Sequence, residues 1–423
     1  MSETLNVFWG ASLAGRLSQE DKEDFAFQYA PGWLSNPEAA PLSIRLPLRP
    51  EPFDDEACRT FFVNLLPEGT TRTLIAKKLG ISESNDFGLL AALGGECAGA
   101  LSLLPEGQAA SSQGSYEPLE QEELDKMIER MAQSPLLVAH EDLRLSLAGA
   151  QQKLPVLFRD GKFYLPHGSY PSSHILKPKI PGFEGIIENE AFCMRLAAEC
   201  GLPVPQTTLH KGKHPVYMVE RYDRCRDDKG ALVRIHQEDF CQALGYSYSK
   251  KYESDGGPGL QKCFGLLNEH STQPALDKGL LLRWTVFNYL IGNCDAHAKN
   301  LSMMLNKAEY RLAPFYDLLS TKVYPALSMK FAMRIGKQYR ADWMMKTHWE
   351  RLAEEAGVGT RAVLAICEEL GETTPGKAQA LARDLIAGFG AETTLNRIVK
   401  NIETTSRRML GIIRPQGPAE GSE

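Results

Sequence analysis

The sequence predicts an α+β fold in which a small β-rich N-terminal domain precedes a two-lobed domain whose second lobe is mainly helical. Three observations carry that expectation. Apolar residues alternate with period two through roughly the first fifty residues. A Ser-, Gln-, Ala- and Gly-rich run, Glu106 to Ser115 (EGQAASSQGS), then breaks the chain with the composition of a linker. Beyond His236 the strand signals thin out and helical periodicity takes over. The expected divisions are 1–107, 108–235, 236–412 and a disordered tail over 413–423.

In the first division, Leu5, Val7 and Trp9, then Phe25, Phe27 and Tyr29, then Leu42, Ile44, Leu46 and Leu48 form alternating sets bounded by turn residues, which predicts a small antiparallel β unit. Helices are expected around 55–65, 70–79 and 84–93. The long apolar stretch Phe87 to Leu104 contains Glu96 and four glycines, and so predicts a helix, a glycine turn and a strand rather than a membrane span. Past the linker an acidic helix is expected near 118–133, followed by strands near 154–158, 162–165, 173–177 and 215–221. A helix from about Glu188 to Cys200 lies between the last two and is stopped by Gly201 and the prolines 203 and 205. Helices are then expected at 237–244, 258–269 and 277–291, with several more from 341 to 410.

Composition narrows the function classes. With 43% hydrophobic and 24% charged residues the chain is neither disordered nor membrane-spanning in character. Glu3 comes early and the first basic residue is Arg16, so no secretory leader is expected and the predicted location is the cytoplasm. The net charge of -6 argues against binding nucleic acid alone, because phosphate neutralisation needs clustered Lys and Arg. Nine cysteines without a C-x-x-C pair read as reduced, mostly buried thiols.

The most informative run is Ile291-Gly-Asn-Cys-Asp-Ala-His-Ala-Lys-Asn300, where Asp295 and Asn300 stand five apart just after an apolar helix. This is the D-x-x-x-x-N spacing of the protein-kinase catalytic loop, in which the Asp takes the proton of the attacking hydroxyl and the Asn ligates magnesium. A helix C-terminus with polar caps is the plainer alternative. Asp317, in Ala313-Pro-Phe-Tyr-Asp317, supplies a second metal ligand at kinase-like separation, or else caps a helix beginning at Leu318. Lys177 ends a short apolar strand and suits nucleotide phosphates, or acts as a strand-edge charge. Glu188 and Glu190 follow on a helix, and Glu220, Arg221 and Tyr222 end a later strand, in the kinase order of lysine, helix acid, hinge, base and metal aspartate. Upstream, Leu145-Ser-Leu-Ala-Gly-Ala-Gln-Gln-Lys153 is neither a Walker A loop nor G-x-G-x-x-G, yet the amides of Ala148, Gly149, Ala150 and Gln151, with Gln152 and Lys153, suit a phosphate cradle. His297 is either a phosphate contact or a polar loop residue. Arg221 and Arg224 beside Asp223 also read as a solvated ion-pair cluster.

Taken together, these residues resemble the HipA-type serine/threonine kinase toxins of bacterial toxin-antitoxin systems. Phe61-Phe-Val-Asn-Leu-Leu-Pro-Glu-Gly69, Ser146 to Lys153, Val219-Glu-Arg-Tyr-Asp-Arg224, Gln237-Glu-Asp-Phe-Cys-Gln242, Lys251-Tyr-Glu-Ser-Asp-Gly-Gly-Pro258, the Asp295 loop and Phe315-Tyr-Asp317 carry the likeness, which weakens after about 325. The resemblance implies a protein-kinase-like fold that uses ATP and Mg2+, with Asp295 as base and Asn300 and Asp317 as magnesium ligands. It further implies Lys177, Lys153 and His297 on phosphates, main-chain atoms of Glu220 and Tyr222 on the adenine, and Ser146 as an autophosphorylated serine. Gln152 stands where some relatives carry Glu. Implied partners are a helix-turn-helix antitoxin, operator DNA reached chiefly through it, and a protein substrate such as an aminoacyl-tRNA synthetase. A small-molecule kinase and a non-catalytic corepressor are the rival expectations.

Overall fold

The computed structural model describes residues 3–20, 23–108, 114–131, 151–168, 170–306 and 309–414. The chain divides into two units built from interleaved segments. The first holds 1–178, 210–251 and 302–313, and the second holds 179–209, 252–301 and 314–423.

In the first unit, β1 (Glu3–Trp9), β2 (Ser12–Gln19) and β3 (Phe25–Tyr29) form a meander, and after α1 (Pro31–Leu34), α2 (Asp55–Phe62), α3 (Gly69–Leu79) and α4 (Asp86–Leu93) the strand β4 (Leu101–Pro105) returns beside β1. The sheet order is β3-β2-β1-β4. Alternation explains it, since Leu5, Val7, Leu17, Phe25 and Phe27 face one shared core that also takes Phe61, Phe62 and Phe87. Gly15 on β2 has a physical reason, because a side chain there would meet the Phe27 ring at 2.6 Å. Helices α2 and α4 begin as their polar residues dictate, with Asp54 accepting from the Ala57 amide at 3.1 Å and Asn85 from that of Gly88 at 2.8 Å.

The strand expected over 42–48 does not form beyond a single bridge between Ser43 and Leu46. Pro41 and Pro47 remove ladder donors on either side. The Tyr29 hydroxyl does the work of a neighbouring strand, donating to the Leu46 carbonyl at 2.5 Å and accepting from the Leu42 amide at 2.8 Å.

Next come β5 (Ser115–Leu119), α5 (Gln121–Met131), β6 (Leu154–Arg159), β7 (Lys162–His167) and β8 (His174–Pro178), and, after α6 (Ile186–Glu199) and β9 (Thr207–His210), β10 (Val216–Glu220). In the first unit the sheet runs β5-β7-β6-β8-β10. A hairpin, β11 (Arg224–Arg226) and β12 (Leu232–Arg234), leads to β13 (His236–Asp239) and α7 (Phe240–Leu244). The helix expected from 237 thus starts at Phe240, because Asp239 and Gln242 form a reciprocal capping box and the residues before it pair as a strand. Its partner strands, β14 (Ser302–Asn306) and β15 (Glu309–Leu312), went unread because each is too short for alternation to stand out.

The second unit is helical, apart from residues of β9: α6, α8 (Leu260–His270), α9 (Pro274–Ile291), α10 (Lys346–Ala356), α11 (Thr360–Phe389) and α12 (Glu392–Ile413). Helices α11 and α12 pack on each other and on both α6 and α9. The expected β-rich start and helical finish of an α+β chain are therefore both present. All nine cysteines are free thiols and eight are buried, Cys225 being exposed. Among the described residues no helix is long and apolar enough to cross a membrane.

Candidate active site

In the second unit the site begins where α9 ends. Gly292 takes the left-handed conformation (φ 71°) that closes the helix, and a Cβ there would come within 2.9 Å of the Lys322 Cβ. The loop that follows folds on itself: the Asn293 amide side chain donates to Asn288 at 2.8 Å, the Cys294 N–H to the Thr321 hydroxyl at 2.7 Å, and the His297 N–H to the Asp295 carbonyl at 2.9 Å. Asp295 therefore lies beyond the helix cap, and its side chain takes no part in capping.

The Asp295 carboxylate accepts one hydrogen bond, from the Tyr252 hydroxyl to Oδ1 at 2.8 Å, and among the described residues Oδ2 has no partner. Asn300 donates from its side-chain amide to the Asp295 carbonyl at 3.2 Å, which leaves its Oδ1 as the end suited to a cation. His297 is buried within this loop, with its ring edge-on to Tyr252 at 5.3 Å. The Tyr316 hydroxyl donates to the Lys299 carbonyl at 2.8 Å and ties the Asp317 segment to the same loop.

Asp317 itself has a positive φ of 54°, a left-handed conformation that costs most residues energy and that Asp tolerates better than most. No helix begins at Leu318, so Asp317 is not a cap. Among the described residues no group of three or more His, Cys, Asp or Glu side chains could enclose a metal. The amide oxygen of Asn300 and the carboxylate of Asp317 are hard donors, the kind a magnesium ion takes beside its waters.

In the first unit, Lys177 lies on β8 opposite Tyr217, buried, with its ammonium 5.7 Å from that ring. Lys153 stands one residue before β6, whose first residue, Leu154, pairs with Leu176, the neighbour of Lys177 in the chain. Ser146, Ala148, Gly149 and Ala150 lie outside the described residues, while Gln151, Gln152 and Lys153 are half-buried.

Arg221 and Arg224 are not solvated: with Glu96 and Asp223 they make a buried network. Glu96 Oε1 accepts from Arg221 at 3.1 Å, Arg224 at 2.9 Å and the Ser172 hydroxyl at 2.8 Å. The two arginines hold the Glu96 carboxyl down at about 2 despite its burial, and hold Asp223 well below the usual carboxylate range. The Arg221 guanidinium is thus engaged inside the protein and is not available to a nucleotide. The Arg221 main-chain N–H donates to the Ser173 carbonyl at 2.9 Å, Glu220 is exposed, and the Tyr222 hydroxyl bonds Gln237. Sequence reasoning missed this network and the Tyr252 contact. Tyr252 sits within the Lys251–Pro258 run that carries part of the likeness, but nothing in that run marks the tyrosine as a partner of Asp295.

The family model described as the HipA N-terminal domain matches residues 5–104, and that of the HipA-like C-terminal domain matches 145–378. The chain is 46% identical over 387 residues to Y4mE of Sinorhizobium fredii, a protein that carries the name of a kinase, covering 90% of this chain and 91% of that one. It is 33% identical over 351 residues to the serine/threonine-protein kinase toxin HipA of Shewanella oneidensis, covering 79% of each. Among solved structures, HipA in the HipA, HipB and operator DNA complex of Shewanella oneidensis matches with a TM-score of 0.84 and 28% identity, over 97% of this chain and 98% of that one. With both domains matched in order and the likeness running nearly end to end, the chain belongs to the HipA family of kinase toxins.

Proposed function

We propose that the protein is an ATP-dependent serine/threonine protein kinase and the toxin of a bacterial toxin-antitoxin pair, acting in the cytoplasm. The observation that carries the reading is the Asp295 loop, where a carboxylate with one oxygen tied, and the other without a partner among the described residues, stands five residues before an asparagine whose amide is fixed by the same loop.

In this reading Asp295 receives the proton of the acceptor hydroxyl as that oxygen attacks the γ-phosphorus, and ADP departs. Asn300 and Asp317 would hold Mg2+, which supplies charge neutralisation on the phosphates. Lys153 and Lys177 would offset phosphate charge, with Gln151, Gln152 and His297 as further contacts, and main-chain atoms of Glu220 and Tyr222 would read the adenine. Little covalent chemistry is asked of the protein, and positioning with charge neutralisation supplies most of the rate.

The proposed partners are a HipB-like helix-turn-helix antitoxin and, through it, operator DNA, as in the complex of the Shewanella oneidensis relative. The proposed substrate is a protein hydroxyl, an aminoacyl-tRNA synthetase being one candidate, with Ser146 as the site of self-inactivation. A phosphate on Ser146 would add about -1.5 to -2 charge beside a loop meant for the nucleotide's own phosphates.

Incubation of the purified protein with ATP and Mg2+ in a lysate depleted of its own kinases, followed by mass spectrometry, tests the reading. Phosphoprotein, with Ser146 modified, is expected. Label found only in small molecules would favour a metabolite kinase, and no transfer at all would favour a non-catalytic corepressor.

A further inference from the structure

The Lys251–Pro258 run, which the mechanism above leaves unused, delivers the only side-chain hydrogen bond that the Asp295 carboxylate receives from the described residues: Tyr252 Oη to Oδ1, 2.8 Å. The tyrosine is held firmly enough to act as an anchor. Its carbonyl accepts from the amides of Asp255 at 3.1 Å and Gly257 at 3.0 Å, closing a tight loop through the left-handed Gly256 (φ 84°). The next residue, Glu253, is fixed from outside that loop, donating its N–H to the Ala332 carbonyl at 3.1 Å and receiving the Arg334 N–H at 2.6 Å and the Arg334 Nε at 2.8 Å. Finally the Tyr252 ring stands edge-on to His297, two residues past the base, at 5.3 Å. Two separate contacts therefore join one immobilised aromatic side chain to the Asp295 loop.

From this geometry we infer that Tyr252 is the positioning residue of the base: by occupying Oδ1 it fixes the carboxylate's rotation and leaves Oδ2 as the proton acceptor for the substrate hydroxyl. The inference rests on the reading of Asp295 as base. A carboxylate free to rotate offers its lone pairs in many directions, and only a fraction of them lie along the line of an attacking hydroxyl. A charge-assisted hydrogen bond is strong enough to hold one rotamer. The phenol proton stays on Tyr252 throughout, and the proton taken from the acceptor goes to Oδ2.

The test is a double-mutant cycle of Y252F and D295N on the full chain, with kcat for transfer to protein, KM for ATP and thermal stability measured for each variant. Y252F keeps the ring and its His297 contact while losing the hydroxyl. It is expected to lower kcat roughly 10- to 100-fold, the worth of one charge-assisted hydrogen bond, with KM for ATP unchanged. In the D295N background the same substitution is expected to change nothing further, since its route of action is gone. A Y252F kcat equal to or above wild type would overturn the inference, the latter by showing that the hydroxyl blocks the base. A full loss that persists in D295N, or a loss tracking reduced thermal stability, would overturn it too. If D295N itself transfers phosphate at the wild-type rate, the reading of Asp295 as base fails, a result visible without any Tyr252 variant.

Discussion

Arg221 grips Asp223 with both Nε (3.0 Å) and Nη2 (2.8 Å), a two-point pairing of a guanidinium and a carboxylate two residues apart and wholly out of solvent. Asp223 also accepts the Gly99 amide at 2.8 Å, and the Arg221 Nη2 reaches the Cys97 carbonyl at 3.3 Å. The glycine turn before β4 and the segment after β10, 124 residues apart in sequence, are thereby joined through charge. Desolvating four charges is costly, so the network is better read as a device for specifying one arrangement than as a source of stability.

The first prediction concerns that network. E96Q leaves the Arg221 and Arg224 charges buried with one carboxylate between them. It should lose on the order of 3–5 kcal/mol of stability, read by urea unfolding at pH 7. Replacing the group of charges together by apolar residues should cost much less than the single change. Equal losses would mean that the pairs contribute net stability.

For the proposed base, D295N should abolish phosphoryl transfer, by at least about 10²- to 10⁴-fold, while ATP with Mg2+ still binds. Asn keeps the shape of the side chain and the ability to accept from Tyr252, so the loss would be one of proton acceptance. Undiminished single-turnover transfer would remove Asp295 from the mechanism.

Asp317, the second of the proposed metal ligands, allows a clean separation because its backbone is itself unusual. Asn tolerates the left-handed conformation nearly as well as Asp, whereas Ala does not. D317N and D317A should weaken ATP binding alike in Mg2+ and hardly at all in EDTA, measured by calorimetry, while only D317A should lose stability, by about 1 kcal/mol. Equal weakening in EDTA would mark the carboxylate as acting without a metal.

Much of this was legible before any coordinates, and the reasons differ from residue to residue. The alternation of Leu5 and Val7 and of Phe25 and Phe27 follows from strands with one buried face. The Asp295–Asn300 spacing is local, so a single loop carries it. Tyr252 and Asp295 are 43 residues apart, and Glu96 and Arg224 are 128 apart. No periodicity links such pairs, and burial of an arginine cannot be read from a charge that elsewhere stays in solvent. The run 42–48 misled for the opposite reason, since its alternation is real and buries Leu42 and Leu46, but one tyrosine hydroxyl replaces the neighbouring strand.

The last prediction is a pH dependence held in one carboxyl. Glu238 on β13 is buried, accepting from the Ser43 hydroxyl at 2.5 Å and the Ile44 amide at 2.9 Å, and it pins the 42–46 segment. Burial raises its pKa from 4.5 to about 7, and the neighbouring Asp239 adds to the rise. The folded state therefore binds this proton more tightly than the unfolded chain. The contribution of Glu238 to stability is fully present below pH 4.5 and falls as pH climbs to about 7, by about 3 kcal/mol in all. Histidines oppose it in the overall curve: burial lowers His174 and His236 from 6.5 to about 4, and lowers His210 and His348 as well, so each withholds a proton that the unfolded chain takes up, and the part from His174 and His236 rises with pH from about 4 to 6.5. Comparing wild type with E238Q cancels that opposing part, because both proteins keep the histidines. E238Q should gain on wild type steadily from pH 4.5 to 7 and hold a constant lead above, in thermal or urea unfolding at half-unit steps. A gap between the two proteins that is flat from pH 4.5 to 7 would show that Glu238 titrates as it does in the unfolded chain.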